Sequence, residues 1–329
     1  MLSELSQSLA DSRIPALQAV LNPRELGQHL HAILPPHWGG LRDIQIQVLQ
    51  HHHRRRWTLD IALQTSSGRH EFIGKVYAAD RSDVYQVMKE ISQSGFGPEE
   101  EFSIPQPFAF LPELHLLLQE KVHGQPVTEV FSKGRARERA VTAERCAKWL
   151  AHFHAHAPMS GPVFVLTHEM MEYWARRLAK SVGSLADKAR LLFQRLEIAG
   201  SALGPPEMCA CHGGYWHQQI ILTEAGTVTF DWDNHCVADP SRDVAKFIIE
   251  LQQLALKSHG SLKALDAAIE VFHKTYTTVS TFEVATSLPL YKAAVCLKRA
   301  KHHLRSRGGG LEKAEGMLDE GLRILAEEM

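Results

Sequence analysis

A chain of 329 residues is long enough for two ordinary domains or one large two-lobed unit, which excludes a mini-protein held together by disulfide staples. Hydrophobic residues make up 44% and charged residues 22%, the balance of a folded globular protein, so general disorder is excluded too. Lys and Arg number 36 against 37 Asp and Glu, a formal charge of −1, so the basic excess that follows a nucleic-acid backbone is missing and no nucleic-acid partner is expected.

The start, MLSELSQSLADSRIP, lacks a basic segment followed by an apolar one, and no run approaches the roughly 18 apolar residues of a membrane span. A cytoplasmic protein without a membrane partner is expected, its five cysteines present as thiols because their number is odd and their spacing fits no disulfide framework. Residues 1 to about 34 carry helical periodicity in two stretches, the second opened by Pro23 and closed by Pro35-Pro36. Apolar alternation follows at Ile44, Ile46 and Val48, then at Trp57, Leu59, Ile61 and Leu63 across the polar run HHHRRR, which predicts a hairpin. The turn Thr65-Ser66-Ser67-Gly68 leads into a third strand, Phe72 to Tyr77, which carries Lys75. Val84, Val87, Met88 and Ile91 share one helical face, and two more strand-like pieces lie around 107–110 and 115–122. Beyond about 125 the period is mainly 3.6, predicting helices over 139–157, 168–181, 185–199, 241–257, 261–277, 288–305 and 311–328. One strand-rich stretch, 208–232, interrupts them.

That stretch holds most of the chemistry: Cys209-Ala-Cys-His212-Gly213-Gly214-Tyr215-Trp216-His217-Gln218-Gln219, then Phe230-Asp231-Trp232-Asp233, then Ala238-Asp239-Pro240-Ser241-Arg242-Asp243-Val244-Ala245. It resembles the aminoglycoside phosphotransferase and choline kinase family, whose pattern is H-G-D-x-H-x-x-N, then I-D-W-E, then G-D-P-x-x-D-L-A. Upstream, Ala147-Lys-Trp-Leu-Ala-His-Phe-His154 resembles the family's A-x-x-L-A-x-L-H helix, Leu118-Gln-Glu120-Lys-Val-His-Gly124 its hinge, and Gly74-Lys75-Val76-Tyr77 its third strand. The likeness runs in order from about residue 40 to 250. It implies an α+β, two-lobed protein-kinase-like fold: an N-terminal helical extension over 1–37, a small antiparallel β N-lobe over 38–122, and a mainly helical C-lobe over 123–329 that contains the loop segment 208–245. It also implies ATP-dependent phosphorylation of a small-molecule hydroxyl with ATP and Mg²⁺ as cofactors, work that asks the protein chiefly for positioning and charge. By resemblance Lys75 meets the nucleotide phosphates, Glu120 and the backbone through Val122 face the adenine, Asp231 holds Mg²⁺ with Asp233 assisting, and His212 and Asp243 brace the loop. The bland alternatives are a solvated strand lysine for Lys75 and a capping aspartate for Asp231. The loop between the first two strands has no glycine, and Arg54 and Arg56 offer phosphate the bidentate fork that backbone N–H groups otherwise supply, or form an exposed hairpin tip.

The reacting centre departs from the pattern. Gly214 occupies the place of the catalytic aspartate, and a positioned general base is worth about 10²–10⁴ in rate. Gln219 replaces the metal-binding asparagine, adding a methylene before a metal that takes octahedral oxygens at about 2.0–2.1 Å. The helix glutamate that pairs with the strand lysine falls at Val84, with Asp83 or Glu90 reaching it only after a helix rotation. Two functions stay open: a phosphotransferase in which His217 or Asp233 serves as base or the substrate supplies its own, and a pseudokinase that binds a nucleotide, a metabolite or a protein partner. A third reading of the same stretch is a zinc site built from Cys209, Cys211, His212, His217, His235 and Cys236, although C-x-C-H is no recognised zinc arrangement. Glu169, Glu172, Tyr173, Trp174, Asp266 and Glu270 are the residues that offer a cationic acceptor a partner, against the commoner reading of solvated helix faces.

Overall fold

The alternation that begins at residue 41 becomes a ladder. The computed structural model describes residues 14–52, 55–181, 183–304 and 310–329, and the expectations that fall on 1–13 and on Arg54 lie outside them. The chain divides into two units, Met1–Gly124 with Thr223–Phe230, and Gln125–Leu222 with Asp231–Met329.

In the first unit, strands β1 (Leu41–His52), β2 (Arg56–Thr65), β3 (Arg69–Tyr77), β5 (Pro107–Leu111) and β6 (Leu116–Glu120) form an antiparallel sheet in the order β1-β2-β3-β6-β5. Register follows the apolar pattern: Ile44 pairs with Leu63, Ile46 with Ile61 and Val48 with Leu59, so matching faces of the two strands stay together. Ladder pairing continues to His52 and Arg56. Trp57, Leu59, Ile61 and Leu63 are fully buried with Val76, Leu116 and Leu118 against two short helices, α1 (Leu17–Leu21) and α2 (Pro23–His31). Asn22 separates these helices, its Oδ1 accepting the backbone N–H of Arg24 at 3.0 Å while Pro23 takes the first helical position, where no N–H partner is needed. Helix α3 (Ser82–Gln93) buries Val84, Val87, Met88 and Ile91. A short parallel pair, β4 (Phe102–Ser103) and β10 (Thr227–Thr229), completes the unit.

The second unit contains helices α4 (Val127–Lys133), α5 (Ala136–His156), α6 (His168–Leu178), α7 (Ser184–Ala202), α8 (Ser241–His259), α9 (Asp266–Val279), α10 (Leu288–His303) and α11 (Gly310–Glu327). Helix α5 begins ahead of the expected 139 because the Glu138 carboxylate accepts the Arg135 backbone N–H at 2.7 Å and closes its first turn. Helix α9 begins at Asp266 rather than 261, the intervening residues forming a turn. Helix α4, which the periodicity did not reveal, is too short to show a period and buries Val127, Val130 and Phe131. Helices α6, α7, α10 and α11 share one apolar core around Leu178, Leu192, Leu297 and Leu318. Two small antiparallel pairs carry the loops: β7 (Gln125–Pro126) with β9 (Ile220–Leu222), and β8 (Cys209–Cys211) with β11 (Cys236–Ala238). Among the described residues no helix is long and apolar enough to cross a membrane.

Candidate functional site

Strand β8 ends at Cys211 and releases the loop His212–Trp216, which a 3₁₀ turn, His217–Gln219, returns to β9. Asp243, in the first turn of α8 and fully buried, fixes this loop from below: its carboxylate accepts the backbone N–H of His212 at 2.6 Å and that of Gly213 at 3.0 Å. The His154 Nε2 lies 3.6 Å from the same carboxylate, and its Nδ1 is 2.7 Å from the Tyr276 hydroxyl. Burial pushes the Asp243 pKa up, but the hydrogen bond and charge of His154, with His212 and Arg242 nearby, hold it below the usual carboxylate value. Burial lowers the His154 pKa, and the Asp243 carboxylate and Cys211 thiol more than reverse this, raising it to about 9. Arg242 Nη2 donates to the Gly213 carbonyl at 3.1 Å, so the loop is held through both polarities of its backbone.

Gly213 sits at φ 74°, and a Cβ there would fall 1.9 Å from the Asn234 carbonyl oxygen; only glycine allows the two loops to pass so closely. Aromatic packing holds the other side: Tyr215 stacks on Trp149 at 5.5 Å and donates its hydroxyl hydrogen to the Cys146 carbonyl at 2.8 Å, while His212 lies 4.6 Å from the Trp232 ring.

Beside this braced loop, Gln219 and Asp231 meet. Gln219 Nε2 donates to Asp231 Oδ2 at 3.2 Å, and Gln219 Oε1 is buried with no hydrogen-bond partner among the described residues. Asp231 itself takes the left-handed backbone conformation, φ 74°, rare for a non-glycine residue and found where a side chain must be aimed. An unpartnered buried oxygen next to a carboxylate fits a hard divalent cation such as Mg²⁺. Asp233 follows on the turn Trp232–Asn234, half-buried. Gly214 is buried, and a Cβ there would meet only ordinary contacts: Asn234 Nδ2 at 3.6 Å, Gln219 Oε1 at 3.8 Å and His212 Nδ1 at 3.8 Å. His217 is turned to other work. Its Nδ1 lies 2.8 Å from the Thr128 hydroxyl, and burial lowers its pKa to about 4, which makes it a weak base at neutral pH.

The second unit therefore brings His212, Gly214, Gln219 and Asp231 together, with Asp233 adjoining in the chain and His217 anchored to α4. Arg56, Lys75, Glu120 and Val122 lie in the first unit. Lys75 is 4% exposed, which excludes a solvated strand lysine. Glu120 ends β6, exposed, with its carboxylate accepting the Gln106 backbone N–H at 3.1 Å. Asp83 is engaged by Arg81 at 2.9 Å, and Val84 is buried where the resemblance looks for a glutamate.

The family model described as phosphotransferase enzyme family (APH) matches residues 53–267. The chain belongs to the phosphotransferase enzyme family. A search of curated proteins gives no match. Solved structures share the protein-kinase-like α+β fold. A choline/ethanolamine kinase family protein from Mesorhizobium loti is 15% identical at TM-score 0.62, covering 92% of this chain and 97% of that one. A thermostable mutant of aminoglycoside phosphotransferase APH(4)-Ia, in a ternary complex with ADP and hygromycin B, is 10% identical at TM-score 0.62, covering 91% and 98%. Amicoumacin kinase hAmiN, in complex with AMP-PNP, Ca²⁺ and Ami, is 13% identical at TM-score 0.61, covering 100% and 96%.

Two further features of the chain stand outside the matched motifs. The cysteines form a small buried cluster, Cys209, Cys211 and Cys236 with Ala238, and all five cysteines of the chain are free and buried. Ligand atoms of His154, Cys209 and Cys211 lie within 4.8 Å of one another, but the wider set imagined from sequence divides: His212 packs on Trp232 and His217 on Thr128. Burial pushes the Cys236 thiol up to about 12 and Cys211 up as well, as expected of thiols serving as small apolar groups. The second feature is a cavity of about 230 Å³ that begins at Gly213. Phe164, Leu166, Trp174 and Tyr291 form its apolar wall, and Arg242, Lys246, Lys298 and Arg299 supply its charge. Of the residues expected to receive a cationic acceptor, only Trp174 lines it; Glu172 pairs with Arg176 at 3.5 Å, and Glu169, Asp266 and Glu270 are exposed.

Proposed function

We propose that the chain is a small-molecule kinase that transfers the γ-phosphoryl group of ATP, with Mg²⁺, to an oxygen of its acceptor. The observation that carries this reading is the pairing of Asp231 with Gln219, held beside a loop whose backbone Asp243 fixes in place. Asp231 and the Gln219 amide oxygen, with Asp233 adjoining, hold the metal; Lys75, on β3, meets the nucleotide phosphates, with Arg56, Glu120 and Val122 completing the nucleotide set. The metal supplies charge neutralisation on the transferred group. The protein's own contribution is positional: Asp243 and Arg242 fix the loop, and the aromatic layer under Tyr215 and Trp232 keeps it from yielding.

A second reading, a pseudokinase that uses the site to bind a metabolite or partner, is favoured by Gly214, which leaves no carboxylate where an acceptor hydroxyl would lose its proton. Asp231→Ala separates the two. Under the kinase reading ADP formation in the presence of acceptor falls to background, whereas retained turnover contradicts it. A Cβ at Gly214 meets only ordinary van der Waals contacts, and Gly214→Asp is expected to raise transfer to hydroxyl acceptors at least tenfold, measured as ADP release.

A further inference from the structure

We propose that the cavity beside Gly213 is the acceptor site and that it takes an oxyanion, a carboxylate or phosphate monoester carried on an apolar body. The inference rests on the phosphotransfer reading and names its substrate class. Four cationic side chains line the cavity and, among the described residues, no carboxylate does. Glu250, 2% exposed and behind the lining, binds both Lys246 and Arg299 and offsets one of these charges. Arg242 and Lys298 have no carboxylate within ion-pair distance among the described residues. Arg242 instead lies 3.5 Å over the Phe164 ring and donates to Cys236 Sγ at 2.7 Å, an arrangement that presets the guanidinium, which the Asp243 carboxylate attracts without pairing with it. Lys298 stands 5.6 Å over Trp174, and Lys301 lies 5.8 Å from the same ring. Burial of the ammonium group and then the charges of Lys246, Arg242, Lys301 and Arg299 lower the Lys298 pKa to about 8. A cationic acceptor such as choline would meet repulsion here; an oxyanion with an aromatic or aliphatic body satisfies both the charges and the Phe164–Trp174–Tyr291 wall.

The same choice of acceptor accounts for Gly214. A hydroxyl must lose a proton as it attacks, but a carboxylate or phosphate oxygen at neutral pH has none to lose. Its lone pair forms the new bond to the γ-phosphorus while the bond from that phosphorus to the β–γ bridging oxygen breaks. The electron pair leaves on ADP, total charge is conserved, and no proton is transferred. The position where a base would stand is therefore free to be glycine. Arg242 joins the two parts, lining the cavity with the same side chain that holds the Gly213 carbonyl.

The test begins without nucleotide. The full chain is titrated at pH 7 with phenyl phosphate, phenylacetate, inorganic phosphate and choline, followed by calorimetry and by tryptophan fluorescence reporting Trp174. Binding of an aromatic oxyanion in preference to choline, weakened about tenfold in Lys298→Gln and restored in Lys298→Arg, is the expected result. Choline binding as tightly as the oxyanions, or Lys298→Gln leaving oxyanion affinity unchanged, overturns the proposal. An unchanged melting temperature shows that the variant is folded. The two oxyanion sources separate on turnover with Mg-ATP: an acyl phosphate from phenylacetate is trapped by hydroxylamine as a hydroxamate, and a diphosphate from phenyl phosphate is not. ADP formed with hydroxyl acceptors but with neither oxyanion contradicts the unprotonated nucleophile. Oxyanion binding without any ATP binding instead sinks the kinase reading and leaves the anion-selective cavity standing.

Discussion

Asp243 and His154 tie stability to pH in a direction that their positions dictate. His154 is raised from 6.5 to about 9 in the fold, so its contribution is fully present below pH 6.5 and is lost as pH rises through 9. Asp243 is held below the ordinary aspartate value of 3.8, so its contribution is present above that value and lost as pH falls through the folded one. The pair therefore supports the fold best on the acid side of neutrality, and denaturant unfolding of the wild type is expected to show lower stability at pH 9.5 than at pH 6.5. In His154→Gln that alkaline decline should flatten; an equal decline in the variant would show that the brace is not its source. Removing the carboxylate is costlier, because Asp243→Ala leaves the loop N–H groups of His212 and Gly213 and the His154 ring facing an apolar gap, a loss of about 3–5 kcal/mol. At Gly213, alanine must hold a left-handed backbone and clear the Asn234 carbonyl, so Gly213→Ala should destabilise by more than the ~1–2 kcal/mol of the backbone conformation alone, read from the same denaturant curves.

At the scale of elements, local chemistry decides where helices begin. Asn22 caps α2 through its side chain, so Asn22→Ala is expected to cost about 1 kcal/mol in urea unfolding with an unchanged m-value. The strands of the first unit were legible because Ile44, Ile46 and Val48 and their partners Leu63, Ile61 and Leu59 alternate with polar residues on a sheet with one buried face. The long helices were legible from their period. Helix α4 was not, since seven residues hold less than two full turns of pattern, and the start of α9 was set back by a turn that keeps the same apolar spacing. Glu138 signalled the true start of α5, three residues after Arg135, but without a Ser, Thr, Asp or Asn ahead of it.

For the molecule as a whole, the motif residues gather as the sequence order implied within the second unit, because β8, the turn Trp232–Asn234 and the first turn of α8 all converge on Asp243 and Gly213. The cavity was illegible for the opposite reason. Its cations come from α8 and α10, far apart in the chain, where each reads as an ordinary charged helix position, while the acidic residues that drew attention lie on solvent faces. The unpartnered amide oxygen of Gln219 likewise shows only once Asp231 is placed beside its nitrogen. The central claim, that this centre still holds a metal nucleotide, is tested most directly by calorimetric titration of the full chain with ATP, with and without Mg²⁺, in the wild type and in Asp231→Ala. Micromolar binding that tightens with Mg²⁺, with the tightening lost in Asp231→Ala, is the predicted result. No heat of binding, or the same affinity with and without Mg²⁺, would contradict it.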